Sequence, residues 1–194
     1  MSNFQNLSNF PIFLGIDKLI LEMIETNIIN WGIYGQICIN APPGFEDDYT
    51  LGTGSLILDW RNSTHNQMKD GTVSISIEPR ETQLDAKTFT KLCTQFHGTL
   101  FEQLYECLNN KYVLGRVRLM LSHPKTCLTW HTDATPRVHY PIITYPGCIM
   151  VVDNEAFHLP KNTWWEVNTT KYHTAFNGSL ETRIHLVAEI FDYK

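Results

Sequence analysis

Apolar positions along the chain divide it into an irregular first half and a second half of closely spaced strands. Residues 17–30 repeat at a helical period, with Leu19, Ile20, Met23, Ile24 and Ile28 on one stripe and Asp17 read as the N-cap. Residues 35–40 predict a short strand, 42–54 a loop of turn-forming residues, 55–60 a strand and 61–71 a polar loop. Residues 72–78 alternate strictly, which puts Val73, Ile75 and Ile77 on one strand face. Between Asp85 and Asn110, Phe89, Leu92, Cys93, Phe96, Leu100, Phe101, Leu104, Tyr105 and Leu108 recur at three and four. That pattern predicts a helix packed on the outside of a sheet, with Gly98 kinking or breaking it.

From Gly115 onward strand patterns dominate. They cover 116–122, 137–144, 148–153, 156–159, 163–168, 173–176 and 182–191, with turn signals at Tyr145-Pro-Gly147, Asp153-Asn154 and Pro160-Lys-Asn162. Short strands at this spacing predict a sandwich or barrel, and the natural candidate is a mainly β double-sheet jelly roll with flanking helices. At 194 residues the chain fits one domain, with helix and strand elements over 1–114 and a jelly-roll core over 115–194.

The candidate chemistry lies in that second half. His131 and Asp133 stand two apart, so on an extended segment both point to one side. Arg137 and His139 stand two apart as well and can face an anion together. His173 is the best candidate for a third ligand. Two imidazoles and one carboxylate form the facial triad of non-haem Fe(II) oxygenases, with the opposite positions open for a 2-oxo acid and dioxygen. Arg183, ten residues past His173, has the planar fork suited to the far carboxylate of 2-oxoglutarate.

These pieces occur in order: Trp130-His-Thr-Asp133, Pro136-Arg-Val-His-Tyr-Pro-Ile142, Lys171-Tyr-His-Thr-Ala-Phe-Asn177 and Arg183-Ile-His-Leu-Val187. The C-terminal third or so of the chain thereby resembles the aspartyl/asparaginyl β-hydroxylase family of 2-oxoglutarate/Fe(II) oxygenases. The resemblance implies a double-stranded β-helix, cupin-like in architecture. It implies Fe(II) held by His131, Asp133 and His173, with 2-oxoglutarate and dioxygen consumed. Arg137 and His139 would hold the metal-side carboxylate of the co-substrate, Arg183 the other end, and the Ser122 hydroxyl is a further contact. The reaction implied is C–H hydroxylation, on an Asp- or Asn-type residue of a protein or on a small molecule. Two other classes compete: a cupin-like isomerase or hydrolase using another divalent metal, and a non-enzymatic jelly-roll binding module.

Composition narrows the rest. Net charge is −5 with no basic block, which argues against nucleic acid. No run of about 18 apolar residues exists, so no membrane span is expected. The odd set Cys38, Cys93, Cys107, Cys127 and Cys148 has no C-x-x-C pair, and with no signal peptide a reducing cytoplasm is the expected setting, the thiols acting as small buried hydrophobes. His65 reads as a surface histidine and His185 as a satisfied core histidine; Trp130, Trp164 and Trp165 read as core or pocket wall. The acidic run Glu46-Asp-Asp48, if it lies at the mouth of the site, argues against an anionic substrate.

Overall fold

The computed structural model of the chain describes residues 2–32 and 34–194. In chain order its first strands are β1 (Phe4–Asn6), β2 (Gln36–Cys38), β3 (Asn40–Ala41), β4 (Thr64–Gln67), β5 (Val73–Ser76), β6 (Lys91–Leu92) and β7 (Tyr112–Ser122). They continue as β8 (Thr126–Cys127), β9 (Arg137–Ile143), β10 (Cys148–Val152), β11 (Glu155–Phe157), β12 (Trp165–Val167), β13 (His173–Asn177) and β14 (Arg183–Tyr193). The α-helices are α1 (Ile16–Glu25) and α2 (Leu100–Asn109). The larger sheet runs β1-β12-β9-β14-β7-β2 and the smaller β11-β10-β13-β8. Neighbouring strands in both are antiparallel, and sequence-distant strands lie side by side, as in the predicted jelly roll. The edges of the larger sheet, β1 and β2, come from the first 114 residues.

Alternation decides how the larger sheet is layered. Ile184, Leu186, Ala188 and Ile190 of β14 join Val117 and Leu119 of β7 and Val138, Tyr140 and Ile142 of β9 in the main core. The same core takes Ile16, Ile20 and Met23 of α1 and Phe101, Leu104 and Leu108 of α2, so the helices cover this face. The alternate positions Arg183, His185, Val187 and Glu189 therefore face the smaller sheet, together with Arg116, Arg118 and Met120 of β7 and Arg137 and His139 of β9. A second apolar cluster of Phe4, Met150, Val152, Leu159, Val167 and Ala175 ties the two sheets together.

The second-half strands lie where the pattern predicts, within a residue or two, except that β7 starts four residues earlier. The first half departs from it. Helix α1 ends at Glu25, leaving Ile28 half exposed, and Gly15 occupies the N-cap position with no side-chain cap. Asp17 sits in the first turn and pairs with Lys161 at 2.6 Å. Residues 55–60 form no strand; only Leu58 bridges, to Pro79. The Asp59 carboxylate accepts from the backbone and Nε of Arg61, bending the chain into a 3-10 turn at Trp60–Asn62. The polar stretch 61–71 contains β4, which pairs with β5 in a hairpin. Its side chains Val73 and Ile75 are exposed, so this alternation marks a strand but not a core face.

The longest helical pattern is also broken. Residues 86–96 form two 3-10 turns and the short strand β6, and the α-helix begins only at Leu100. Gly98 has φ +73°, a left-handed conformation that side chains resist, and the Thr99 hydroxyl then accepts from the Phe101 N–H as an N-cap. Phe89, Leu92, Cys93 and Phe96 are nevertheless buried. A helical spacing of apolar residues records which side chains are buried, and an irregular backbone can bury them equally well. All five cysteines are free, and Cys127 is exposed rather than buried. No helix among the described residues is long and apolar enough to cross a membrane.

These geometries make opposite predictions for one substitution. In a continuous helix Gly98→Ala would stabilise by about 1 kcal/mol; at the observed φ it costs roughly 1 kcal/mol. Urea denaturation of the two proteins decides the sign.

Candidate metal centre

His131 and His173 are directly opposed on adjacent strands. The His131 N–H donates to the His173 carbonyl at 3.0 Å and the His173 N–H to the His131 carbonyl at 2.9 Å. Such a pair points both side chains to the same face, and the two rings lie 4.3 Å apart between centroids. Beyond it the chain is held by the Asp133 N–H, which donates to the Thr169 carbonyl at 2.8 Å, and by the Thr174 hydroxyl, which donates to the Leu128 carbonyl at 2.6 Å. One ligand atom each from His131, Asp133 and His173 lies within 4.8 Å of the others, a spacing that could hold a metal ion.

Both imidazoles are oriented from behind. Nδ1 of His131 is 2.7 Å from the Thr129 carbonyl and Nδ1 of His173 is 2.9 Å from the Lys171 carbonyl. A carbonyl can only accept, so each Nδ1 carries a proton and each Nε2 is the nitrogen turned toward the candidate metal position. His173 is neutral at pH 7. Burial is the main cause that lowers its pKa, aided by His131 and Arg137, against the opposing hydrogen bond to Lys171 and the charge of Asp133. The 3.7 Å approach of His173 Nε2 to Asp133 Oδ2 is therefore a neutral ring beside a carboxylate. For Asp133 burial acts to raise the pKa, but the charge and hydrogen bond of Arg137, with smaller help from His173 and His131, hold it below the usual carboxylate value. His173 and Asp133 are thus in the protonation states that bind a cation.

These residues open on a cavity of about 560 Å³ whose walls include Met120, Met150, Ala175 and Val187 as well as Arg137, His139 and Arg183. Arg137 donates to Asp133 Oδ2 at 3.1 Å and to the Thr135 hydroxyl at 2.8 Å. His139 is buried, and neither ring nitrogen has a hydrogen-bond partner. Burial, then the charges of Arg183 and Arg137, push its pKa down to about 3, so it is neutral. Arg183 is not the surface partner of Glu181: it is 7% exposed, and among the described residues it forms no ion pair and its Nε has no hydrogen-bond partner. Burial lowers its pKa. A guanidinium and an imidazole with open polar atoms on one wall suit an anionic ligand with carboxylate oxygens.

The family model described as Aspartyl/Asparaginyl beta-hydroxylase matches residues 60–192. The chain belongs to the aspartyl/asparaginyl β-hydroxylase family. Solved structures resemble this hydroxylase-family chain only distantly. AviO1 from Streptomyces viridochromogenes Tue57 is 14% identical, with 98% of this chain and 90% of that one covered and a TM-score of 0.45. A 2OG-Fe(II) oxygenase family oxidoreductase from Burkholderia pseudomallei is 13% identical, with 93% and 92% covered and a TM-score of 0.37. A cupin domain from Bordetella pertussis Tohama I is 18% identical over 39% of this chain and 80% of that one, with a TM-score of 0.35. No curated protein matches the chain.

Other residues singled out from the sequence of this family member have different fates. Ser122 is paired with Arg183 across β7 and β14, yet its hydroxyl shares a hydrogen bond with Thr126 at 3.1 Å and it is not among the cavity walls. His185 is buried as expected, but its Nε2 has no partner. Asn177 donates to the carbonyls of Ser122 and Glu181 and so braces the β13 to β14 turn. Trp164 is core, Trp165 packs on the second apolar cluster, and Trp130 is 45% exposed and stacks on Tyr172. His65 is on the surface.

Sequence reading missed Glu189. Its Oε1 takes Arg116 at 2.7 Å, Arg137 at 3.3 Å and Arg118 at 3.5 Å, and the group is 3% exposed. Gly115 makes the room: a Cβ there would stand 2.9 Å from Glu189 Oε2 and 2.8 Å from the Phe191 ring. The available signal was Arg116-x-Arg118, two charges at strand spacing inside an apolar run. Burial acts to raise the Glu189 pKa, and Arg137, Arg118 and Arg116 together more than offset it, leaving it below 4.5. A depressed acid stabilises the fold above its unfolded pKa near 4.5 and loses that contribution as pH falls through the lower native value. Glu189→Gln should therefore cost roughly 3 kcal/mol at pH 7 and flatten the acid limb of stability against pH. Denaturant titrations from pH 7 to pH 3 measure both.

Proposed function

We propose that this chain is a 2-oxoglutarate- and Fe(II)-dependent dioxygenase that hydroxylates a C–H bond. The observation that carries the proposal is the set of three ligand atoms within 4.8 Å, both Nδ1 atoms donating to backbone carbonyls, on a cavity whose wall holds the buried Arg183, without an ion pair among the described residues. His131, Asp133 and His173 would hold the metal. Two imidazoles and one carboxylate would leave a divalent ion with open positions, the donor set suited to non-haem Fe(II). When bound, metal and co-substrate supply an oxidation that converts 2-oxoglutarate and dioxygen to succinate and carbon dioxide and puts one oxygen atom into the substrate C–H bond.

The chain's own residues bind and orient. Arg183 would take the far carboxylate of 2-oxoglutarate with its planar fork, and His139 and Arg137 the carboxylate on the metal side. Arg137 also holds Asp133 in its ligand orientation. Met120, Met150, Ala175 and Val187 keep that part of the cavity apolar, which excludes water from the oxidant. No acid or base side chain is required. The substrate would be a small molecule or an Asp- or Asn-type residue of a protein.

Purified protein with Fe(II) and 2-oxoglutarate should release succinate in oxygen, and chelation or His131→Ala should abolish it. Arg183→Gln should raise the KM for 2-oxoglutarate tenfold or more, an effect of about 1.4 kcal/mol or above, while metal content is unchanged. Metal-dependent turnover of a substrate with no need for 2-oxoglutarate would instead place the chain with cupin-like isomerases or hydrolases.

A further inference from the structure

The cavity carries more positive charge than the proposed metal and co-substrate use. Its walls include Arg116, Arg118, Arg137 and Arg183. Against them stand Asp133, also in the wall, and Glu189 behind it. A divalent metal and the 2-oxoglutarate dianion cancel, so they leave this excess untouched.

The excess is concentrated at Arg118. Arg116 is fully engaged: Nε and Nη2 donate to Glu189, and Nη1 to the carbonyls of Gly52 and Gly54. Arg137 is shared between Asp133, Glu189 and the Thr135 hydroxyl. Among the described residues Arg118 has only the neutral Gln36 side chain at 3.0 Å and a long 3.5 Å contact to a Glu189 oxygen already taken by Arg116. Its Nε is buried with no partner, and the residue is 8% exposed. Burial first, then the charge of Arg116, lowers its pKa to about 10, as expected of a guanidinium short of negative charge. It remains a cation at neutral pH, and a buried cation needs an anion.

Arg118 is not the Arg183 subsite. Its partner on β14 is Val187, four residues from Arg183, or about 13 Å at strand rise. In the same row His139 flanks Val187 on the other side. Arg118 and Arg183 are thus two separate cationic positions on the wall of one cavity. The acidic run 46–48 does not oppose an anion here. Glu46 accepts from the Gly44 N–H, Asp47 from the Thr94 hydroxyl and Asp48 from Arg61, and none of them lines the cavity.

We propose that Arg118, held by Gln36 and Glu189, is the docking point for an anionic group, a carboxylate or a phosphate, on the substrate. This rests on the oxygenase reading for the word substrate, but the anion site is testable without turnover. Protein loaded with Mn(II) is first titrated calorimetrically with 2-oxoglutarate in the absence of oxygen, and that titration tests the oxygenase reading alone. The loaded protein is then titrated with matched pairs: L-aspartate and L-asparagine, L-glutamate and L-glutamine, O-phospho-L-serine and L-serine. The anionic member of at least one pair should bind roughly tenfold tighter than its neutral partner, and which pair responds separates carboxylate from phosphate. Arg118→Gln should erase that preference with 2-oxoglutarate affinity retained. Gln36→Glu should erase it too, because it neutralises Arg118 in place and leaves the guanidinium packing intact; it keeps the test sound if Arg118→Gln folds poorly. Equal binding within every pair, no binding of any anionic member, or a preference that survives Gln36→Glu would overturn the assignment.

Discussion

Glu189 is a single carboxylate set on the inward face of the longest pair of strands, with three guanidinium groups directed at one of its oxygens. The arrangement follows from alternation. On β7, β9 and β14 every second residue must enter the apolar core under α1 and α2, so the residues between them must face the smaller sheet whatever their charge. Arginines on that inner face have lost water and require a counter-charge. Glu189 supplies one carboxylate for three of them, and Gly115 is without a side chain so that it can fit. On the inner face the arginines Arg116, Arg118, Arg137 and Arg183 outnumber the carboxylates Asp133 and Glu189.

The candidate metal centre is the second place where backbone geometry dictates chemistry. The smaller sheet extends past β8 through one further bridge, His131 to His173, and that bridge sets two imidazoles side by side. Backbone carbonyls of Thr129 and Lys171 fix both tautomers, and Arg137 fixes the carboxylate. Arg137 also touches Glu189, so the Asp133 carboxylate and the arginine cluster form one connected network. A change at Glu189 should thus be felt at Asp133 through one shared side chain.

Much of this was legible beforehand, and unevenly. The second half of the chain read well because its strands are buried on at least one face, so side-chain period and burial coincide. The candidate ligands His131, Asp133 and His173 and the candidate pocket residues Arg137, His139 and Arg183 follow from spacing and resemblance, and the structure brings them to one cavity. The first half read poorly. Burial of Phe89 through Phe96 by 3-10 turns imitated a helix, and the exposed hairpin of β4 and β5 imitated core on one strand and loop on the other. Asp59 turned the chain through local hydrogen bonding, which an apolar period does not record, whereas Gly98 already marked the break before α2.

The sequence by itself determined the fold class and the strands of the second half, because period-two alternation is a local property, and motif spacing with the family resemblance named the metal and co-substrate candidates. Only the tertiary structure decided which charges share a counter-ion. Arg116 and Glu189 are 73 positions apart, and Arg118 and Gln36 are 82. Whether a buried arginine is satisfied or left open to a ligand depends on such long-range neighbours, since Coulomb energy and hydrogen bonding follow distance in space and not along the chain.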